Sequence, residues 1–245
     1  MIRLILVSFF LLVFFILSIP LFLVELIIGK FNRRAMVASS KAIVTGAFHV
    51  VLFLSGVKRT VIGVENIPKD QAVLYISNHR SFFDIPVTYV SFPNLTGFMA
   101  KKELSKIPFL RVWMKFIQCL FLDRDDLRQG LKTILKGIEM VEDGYSVFIA
   151  PEGTRNQGQE MLPFKEGSFK IAQKTGCPII PVSISNSDSV LEKQFPRLKS
   201  AHVIVEFGKP IFPNELEAEQ KKFIGSYVQS IIKETLEKNN KMIQI

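Results

Sequence analysis

The run Ala72-Val73-Leu74-Tyr75-Ile76-Ser77-Asn78-His79-Arg80-Ser81-Phe82-Phe83-Asp84 decides the fold. Its first six residues are apolar or β-prone and too few for a helix, so they read as a buried strand. Pro86 stands just beyond, and proline is tolerated near a helix start, so a helix is expected to begin around Ser81 to Phe83. The same alternation extends outward. Strands are expected over 60–63, 72–77, 95–100, 118–122, 146–150, 179–184 and 203–207, with helices over 82–90, 109–116, 127–141, 165–174 and 214–237. In the last of these Ile224, Val228, Ile232 and Leu236 recur every four residues as one apolar stripe. Such alternation implies an α/β fold: a mostly parallel mixed sheet covered by helices on both faces, with room for antiparallel strands at its edges.

The N-terminal residues differ from the rest of the chain. Of the 25 residues from Leu4 to Ile28, only Ser8, Ser18, Pro20 and Glu25 are not apolar. About 20 apolar residues suffice to cross a bilayer as a helix, so this segment reads as a hydrophobic membrane helix. It is longer than the apolar core of a cleavable signal peptide and leads into a basic stretch instead of a small-residue cleavage site. A second apolar run, 42–54, would reach only about 20 Å as a helix, which predicts an amphipathic, interfacial element. Residues 1–57 are thus expected to anchor the protein and residues 58–245 to form the catalytic domain.

Lys and Arg total 31 against 22 Asp and Glu, a net charge of +9. Lys30, Arg33, Arg34, Lys41, Lys58 and Arg59 supply six of these charges beside the apolar segments, with no acid between residues 30 and 60. Anionic lipid attracts such a collar, whereas nucleic-acid binding would need a basic stripe on the folded domain, and none is legible. If both segments crossed the bilayer, the basic loop would place the main domain outside. One span or a shallow hairpin leaves it on the cytoplasmic face of the cell membrane. Cys119 and Cys177 have no CxxC spacing and sit in apolar surroundings, so they read as reduced core residues without a zinc site.

Ligands of α/β sheets bind beyond the C-terminal ends of strands, where His79 is expected. Five residues apart on one helix, His79 and Asp84 would point away from each other, so they can meet only if His79 precedes the helix. A carboxylate on one imidazole nitrogen fixes the tautomer and frees the other to take a proton from a hydroxyl. Ser81-x-x-Asp84 is equally the pattern of a capping box. A second strand runs into Ala150-Pro151-Glu152-Gly153-Thr154-Arg155, where Glu, Thr and Arg can form a phosphate site or a salt-bridged turn. Cys119 to Arg124 bring a further arginine to a strand end, and Pro178 and Pro181 flank a buried strand.

Together, in this order and spacing, the four segments resemble the glycerolipid acyltransferase family, most closely the bacterial 1-acyl-sn-glycerol-3-phosphate acyltransferases. Asn78, His79 and Asp84 match the first motif in full, as Glu152 to Arg155 match the third, and the likeness covers roughly residues 60–210. Two positions depart: Gln118 stands where the second motif usually opens with glycine, and Cys177 where the fourth usually opens with an aliphatic residue. The resemblance implies acyl transfer from a thioester of acyl carrier protein or coenzyme A to the sn-2 hydroxyl of lysophosphatidic acid, forming phosphatidic acid for phospholipid biosynthesis. His79 would be the base and Asp84 its orienter. Arg124 and Arg155 would hold the acceptor phosphate with Gly153 and Thr154 of the same turn, Lys101 and Lys102 would be further phosphate contacts, and Glu152 would orient an arginine or the glycerol. Neither cofactor nor metal is implied. Transfer to another lysolipid or an amino-acid lipid, a serine esterase using Ser81 or Ser168, and a lipid-binding surface protein are the rival readings. The esterase lacks a GxSxG elbow.

Overall fold

Period-two burial along the strands builds the sheet. Tyr75 packs into a core on one face while its neighbours Leu74 and Ile76 enter a second core on the other, so the whole strand is apolar. The structure is a computed structural model describing residues 1–123, 126–158 and 160–243. Its strands are β1 (Val57–Ile62), β2 (Leu74–Ser77), β3 (Thr96–Lys101), β4 (Leu120–Leu122), β5 (Ser146–Ile149), β6 (Ile179–Ser185) and β7 (Ala201–Phe207). They form one sheet in the order β1-β7-β6-β2-β5-β3-β4, parallel except between β6 and β7, so the two strands of one edge oppose the other five. This is the expected mixed sheet.

The helices are α1 (Ile2–Phe31), α2 (Arg33–Ser55), α3 (Asp84–Tyr89), α4 (Pro108–Phe116), α5 (Leu127–Glu142), α6 (Lys170–Thr175), α7 (Ala218–Lys222) and α8 (Ile224–Ile243). The first four share one core with Tyr75, Phe92 and Phe207, and α5, α6 and α8 cover the opposite face. α3 begins at Asp84, slightly later than expected, because residues 81–84 close a turn in which Asp84 N–H donates to the Ser81 carbonyl at 3.3 Å. The expected C-terminal helix is divided at Phe223 into α7 and α8.

The second N-terminal segment differs from expectation. The 42–54 run is the end of a 23-residue helix, long enough to cross a membrane, as α1 also is. Asn32, the one residue between α1 and α2, caps α2 by accepting from Ala35 N–H at 2.9 Å. Two polar interruptions of α1 face inward, while Ser8 is exposed: Ser18 Oγ accepts from Trp113 Nε1–H at 2.8 Å, and Glu25 Oε1 accepts from Ser39 Oγ at 2.7 Å. Phe22 meets Trp113 edge-on at 5.3 Å. Ile5, Phe9, Leu12, Ile16, Leu23 and Ile27 are exposed on the outer face at helical spacing. The helix thus packs Phe14, Phe22, Ser18 and Glu25 onto the protein and leaves a long apolar face exposed.

Part of the basic collar turns onto the domain. Lys41 Nζ donates to the carbonyls of Phe92, Pro93 and Asn94 at 2.7, 3.1 and 2.9 Å, using all three of its protons. Arg59 Nη1 donates to the Val87 carbonyl at 3.2 Å and to Ser91 Oγ at 3.0 Å, and burial pulls its pKa below the usual arginine range. Both cations therefore grip the C-terminal end of α3 and the bend after it, where helix carbonyls lack partners and negative potential gathers.

Arg33 Nη2 donates to Gln118 Oε1 at 2.9 Å. Gln118 itself has φ of 60°, the left-handed region, which is why glycine suits this position, and its carbonyl lies where a Cβ on Gly97 would sit, at 2.1 Å. Replacing Lys41 by Met should lower unfolding stability by about 2 kcal/mol, since three carbonyls lose a charged donor, while Lys58→Met should change it little. Denaturant unfolding in detergent measures both, and equal effects would remove Lys41 from this role.

Candidate active site

Register places the two main motifs side by side. β2 and β5 are adjacent and parallel, with Ile76 opposite Ile149, so three residues further along each chain His79 meets Glu152. Glu152 Oε1 accepts from the His79 backbone N–H at 2.8 Å, and Oε2 accepts from Leu162 N–H at 3.0 Å. Buried, with both oxygens on backbone donors, this carboxylate holds the turn. β6 fixes the other side: the Asn78 amide donates to the Ile184 carbonyl and accepts from its N–H, both at 2.9 Å, continuing the ladder beyond β2. Asn156 N–H donates to the His79 carbonyl at 2.7 Å.

His79 Nδ1 lies 2.8 Å from Asp84 Oδ2, and the same oxygen accepts from the N–H groups of Arg80 and Ser81 at 2.8 and 2.9 Å. Asp84 is fully buried, so an acceptor-only carboxylate there leaves Nδ1 as the proton-bearing nitrogen. Nε2 is left with no partner among the described residues, on a side chain 18% exposed at the end of the sheet. The pair and the capping pattern coexist: Asp84 takes the Ser81 N–H as a capping residue would, while also orienting His79. Ser81 Oγ is engaged elsewhere, donating to Glu192 Oε2 at 2.7 Å and accepting from Phe83 N–H at 2.9 Å, so it is not activated by His79.

Gly153 adopts φ of +75°, and a Cβ there would meet Lys165 Nζ at 2.8 Å, so the turn delivering Thr154 and Arg155 needs glycine. Thr154 is exposed on it. The Arg155 guanidinium stacks 3.4 Å from the centre of the Phe82 ring, beside the histidine turn, with Glu192 Oε1 3.8 Å from Nη1. Lys101 and Lys102 stand at the end of β3, next to β5, and are half exposed with acidic partners. Lys101 Nζ lies 3.1 Å from Glu103, and Lys102 Nζ 2.8 Å from Asp123, whose hydrogen bond raises the lysine pKa. Arg124 lies outside the described residues. Phe82, Asn156 and Glu192 were not expected: Phe82 carries no chemistry that spacing could flag, Asn156 acts through its backbone, and Glu192 stands in an ordinary polar run.

The acyltransferase family profile matches residues 58–185. The 1-acyl-sn-glycerol-3-phosphate acyltransferase of Borreliella burgdorferi is 31% identical over 188 residues, covering 77% of this chain and 75% of that protein. The Saccharomyces cerevisiae enzyme of the same name is 33% identical over 187 residues, 75% of this chain and 60% of that protein. The crystal structure of the 1-acyl-sn-glycerophosphate (LPA) acyltransferase PlsC from Thermotoga maritima superposes with a TM-score of 0.79 at 26% identity, covering 97% of this chain and 95% of that one. Coverage on that scale takes in α1 and α2 as well as the sheet.

Cys119 and Cys177 are buried and form no disulfide. Burial pushes the Cys119 thiol up to about 12 and also raises Cys177. Burial thus disfavours both thiolates and blocks access to them, whereas at pH 8.5 an unfolded thiol is about half ionised, so alkylation should be slow in the folded protein and fast after denaturation. Mass spectrometry of timed labelling reads this, and rapid native labelling of either residue would contradict its placement.

Proposed function

The chain belongs to the acyltransferase family, and on that premise we propose that it acylates the sn-2 hydroxyl of lysophosphatidic acid, with acyl carrier protein or coenzyme A thioesters as donors, to give phosphatidic acid. The observation that carries the reading is the His79–Asp84 contact of 2.8 Å, with Nε2 open and Arg155 stacked on the same turn. His79 Nε2 accepts the hydroxyl proton as the acceptor oxygen attacks the thioester carbonyl carbon. The tetrahedral intermediate then collapses, the C–S bond breaks, and the thiolate leaves with the proton His79 carried. The attacking oxygen belongs to the substrate, so no acyl-enzyme forms. Arg155 meets the acceptor phosphate, joined by Arg124, because a guanidinium contacts two phosphate oxygens at once. Lys101 and Lys102 are further contacts of weaker geometry.

Residues 1–57 anchor the protein and residues 58–245 catalyse. Support comes from the outward apolar face of α1 and from Trp113, which ties the middle of α1 to the catalytic domain and keeps that helix beside it. The hairpin therefore enters from the side on which the domain sits, and its positive flank favours the cytoplasmic leaflet. Lipid acceptor and product then never leave the interface.

The test is an assay of the purified full chain with lysophosphatidic acid and each thioester, products identified by mass. Phosphatidic acid should form, and His79→Ala should lower kcat by about 10² to 10⁴ in a protein that still folds. His79→Ala activity within a few-fold of the parent would overturn the assignment of the base, and turnover confined to a lysolipid without phosphate would overturn that of the acceptor.

A further inference from the structure

After β6 the chain makes two short 3-10 turns, Ser187–Ser189 and Glu192–Gln194, beyond the stretch matched by the family profile. Each carries one acid onto an arginine beside the histidine turn. Asp188 Oδ2 lies 3.4 Å from Arg80 Nε, and Glu192 Oε1 lies 3.8 Å from Arg155 Nη1. The Glu192 side chain is 10% exposed, and a carboxylate so enclosed costs several kcal/mol unless partnered. Its hydrogen bonds come from Ser81 Oγ and Phe82 N–H, both at 2.7 Å. Those two donors are neutral and meet different oxygens, so an amide in its place would keep one of the two hydrogen bonds without any charge. Arg155 is the partner that needs the charge.

Resting on the reading that Arg155 faces the acceptor phosphate, we infer that Glu192 is a positioning residue that presets the Arg155 guanidinium for that phosphate. Phe82 covers one face of the guanidinium at 3.4 Å, and Glu192 attracts one edge from beyond hydrogen-bond range. The planar group is thereby oriented while its donors remain available to the incoming oxygens. The same carboxylate grips Ser81 and Phe82, two of the four residues between His79 and Asp84, so the base and the phosphate contact share one turn. Preorganisation of this kind lowers the entropy lost on binding and acts on acceptor affinity more than on chemistry.

Glu192→Gln preserves shape and one acceptor oxygen while removing the charge; Ser81→Ala, which deletes the hydroxyl donor to the other oxygen, is the control for the lost hydrogen bond and should leave the acceptor KM within about twofold, and thermal unfolding checks that both variants fold. The full chain carrying Glu192→Gln, assayed on lysophosphatidic acid in mixed micelles, should show an acceptor KM raised about tenfold, with kcat and the donor KM within about twofold. Arg155→Lys should also raise the acceptor KM, and Glu192→Gln added to it should have little further effect, because the two act as one unit. An equal penalty in both backgrounds, or a fall in kcat with acceptor KM unmoved, would overturn the inference and make Glu192 a support of the turn alone. If Arg155→Lys moves the donor KM instead, the acceptor reading fails separately. The same double-mutant cycle scored on the donor KM then decides whether Glu192 works through Arg155.

Discussion

One oxygen, Asp84 Oδ2, organises the site. Buried in the protein interior, it is the point on which three donors converge: His79 Nδ1–H and the backbone N–H groups of Arg80 and Ser81. Their convergence fixes the path of the chain from β2 into α3 and the orientation of the imidazole in one stroke. α3 has only six residues, too few to be stable alone, and it is held at both ends. Asp84 secures its first turn, while Lys41 from α2 and Arg59 from β1 take up the carbonyls at and after its last. α2 and the histidine turn are in this way parts of one mechanical unit.

Much of this was legible in the residues. Seven apolar runs of strand length became seven strands because both faces of a mostly parallel sheet are buried, which makes the signal continuous. The meeting of His79 and Asp84 followed from Pro86, which delays the helix and leaves His79 outside it. What escaped has physical reasons too. Hydropathy counts Lys41 as solvated, yet three carbonyls receive it, so α2 runs through the lysine and is longer than its apolar run. Glu152 reads as a ligand-facing acid, whereas strand register turns it onto the backbone of the neighbouring motif. The Glu192 contact joins residues 111 apart to Ser81 and 110 apart to Phe82, and no local pattern encodes such a pairing.

The N-terminal hairpin shows how one sequence serves two surroundings. α1 is apolar almost throughout, and its rotation puts Ser18 and Glu25 on Trp113 and Ser39 and Phe14 and Phe22 on the core, while Ile5, Phe9, Leu12 and Ile16 face outward.

The central claim is that Asp84 fixes the tautomer of His79, leaving Nε2 unprotonated and ready to accept a proton. Nitrogen NMR of the imidazoles tests this directly, since the chain has three histidines, His49, His79 and His202, and the His79→Ala spectrum identifies the signals. At a pH where the ring is neutral, the account predicts a protonated, pyrrole-type Nδ1 and a pyridine-type Nε2, with that preference weakened in Asp84→Asn. A neutral His79 protonated at Nε2 in the unsubstituted protein would contradict it.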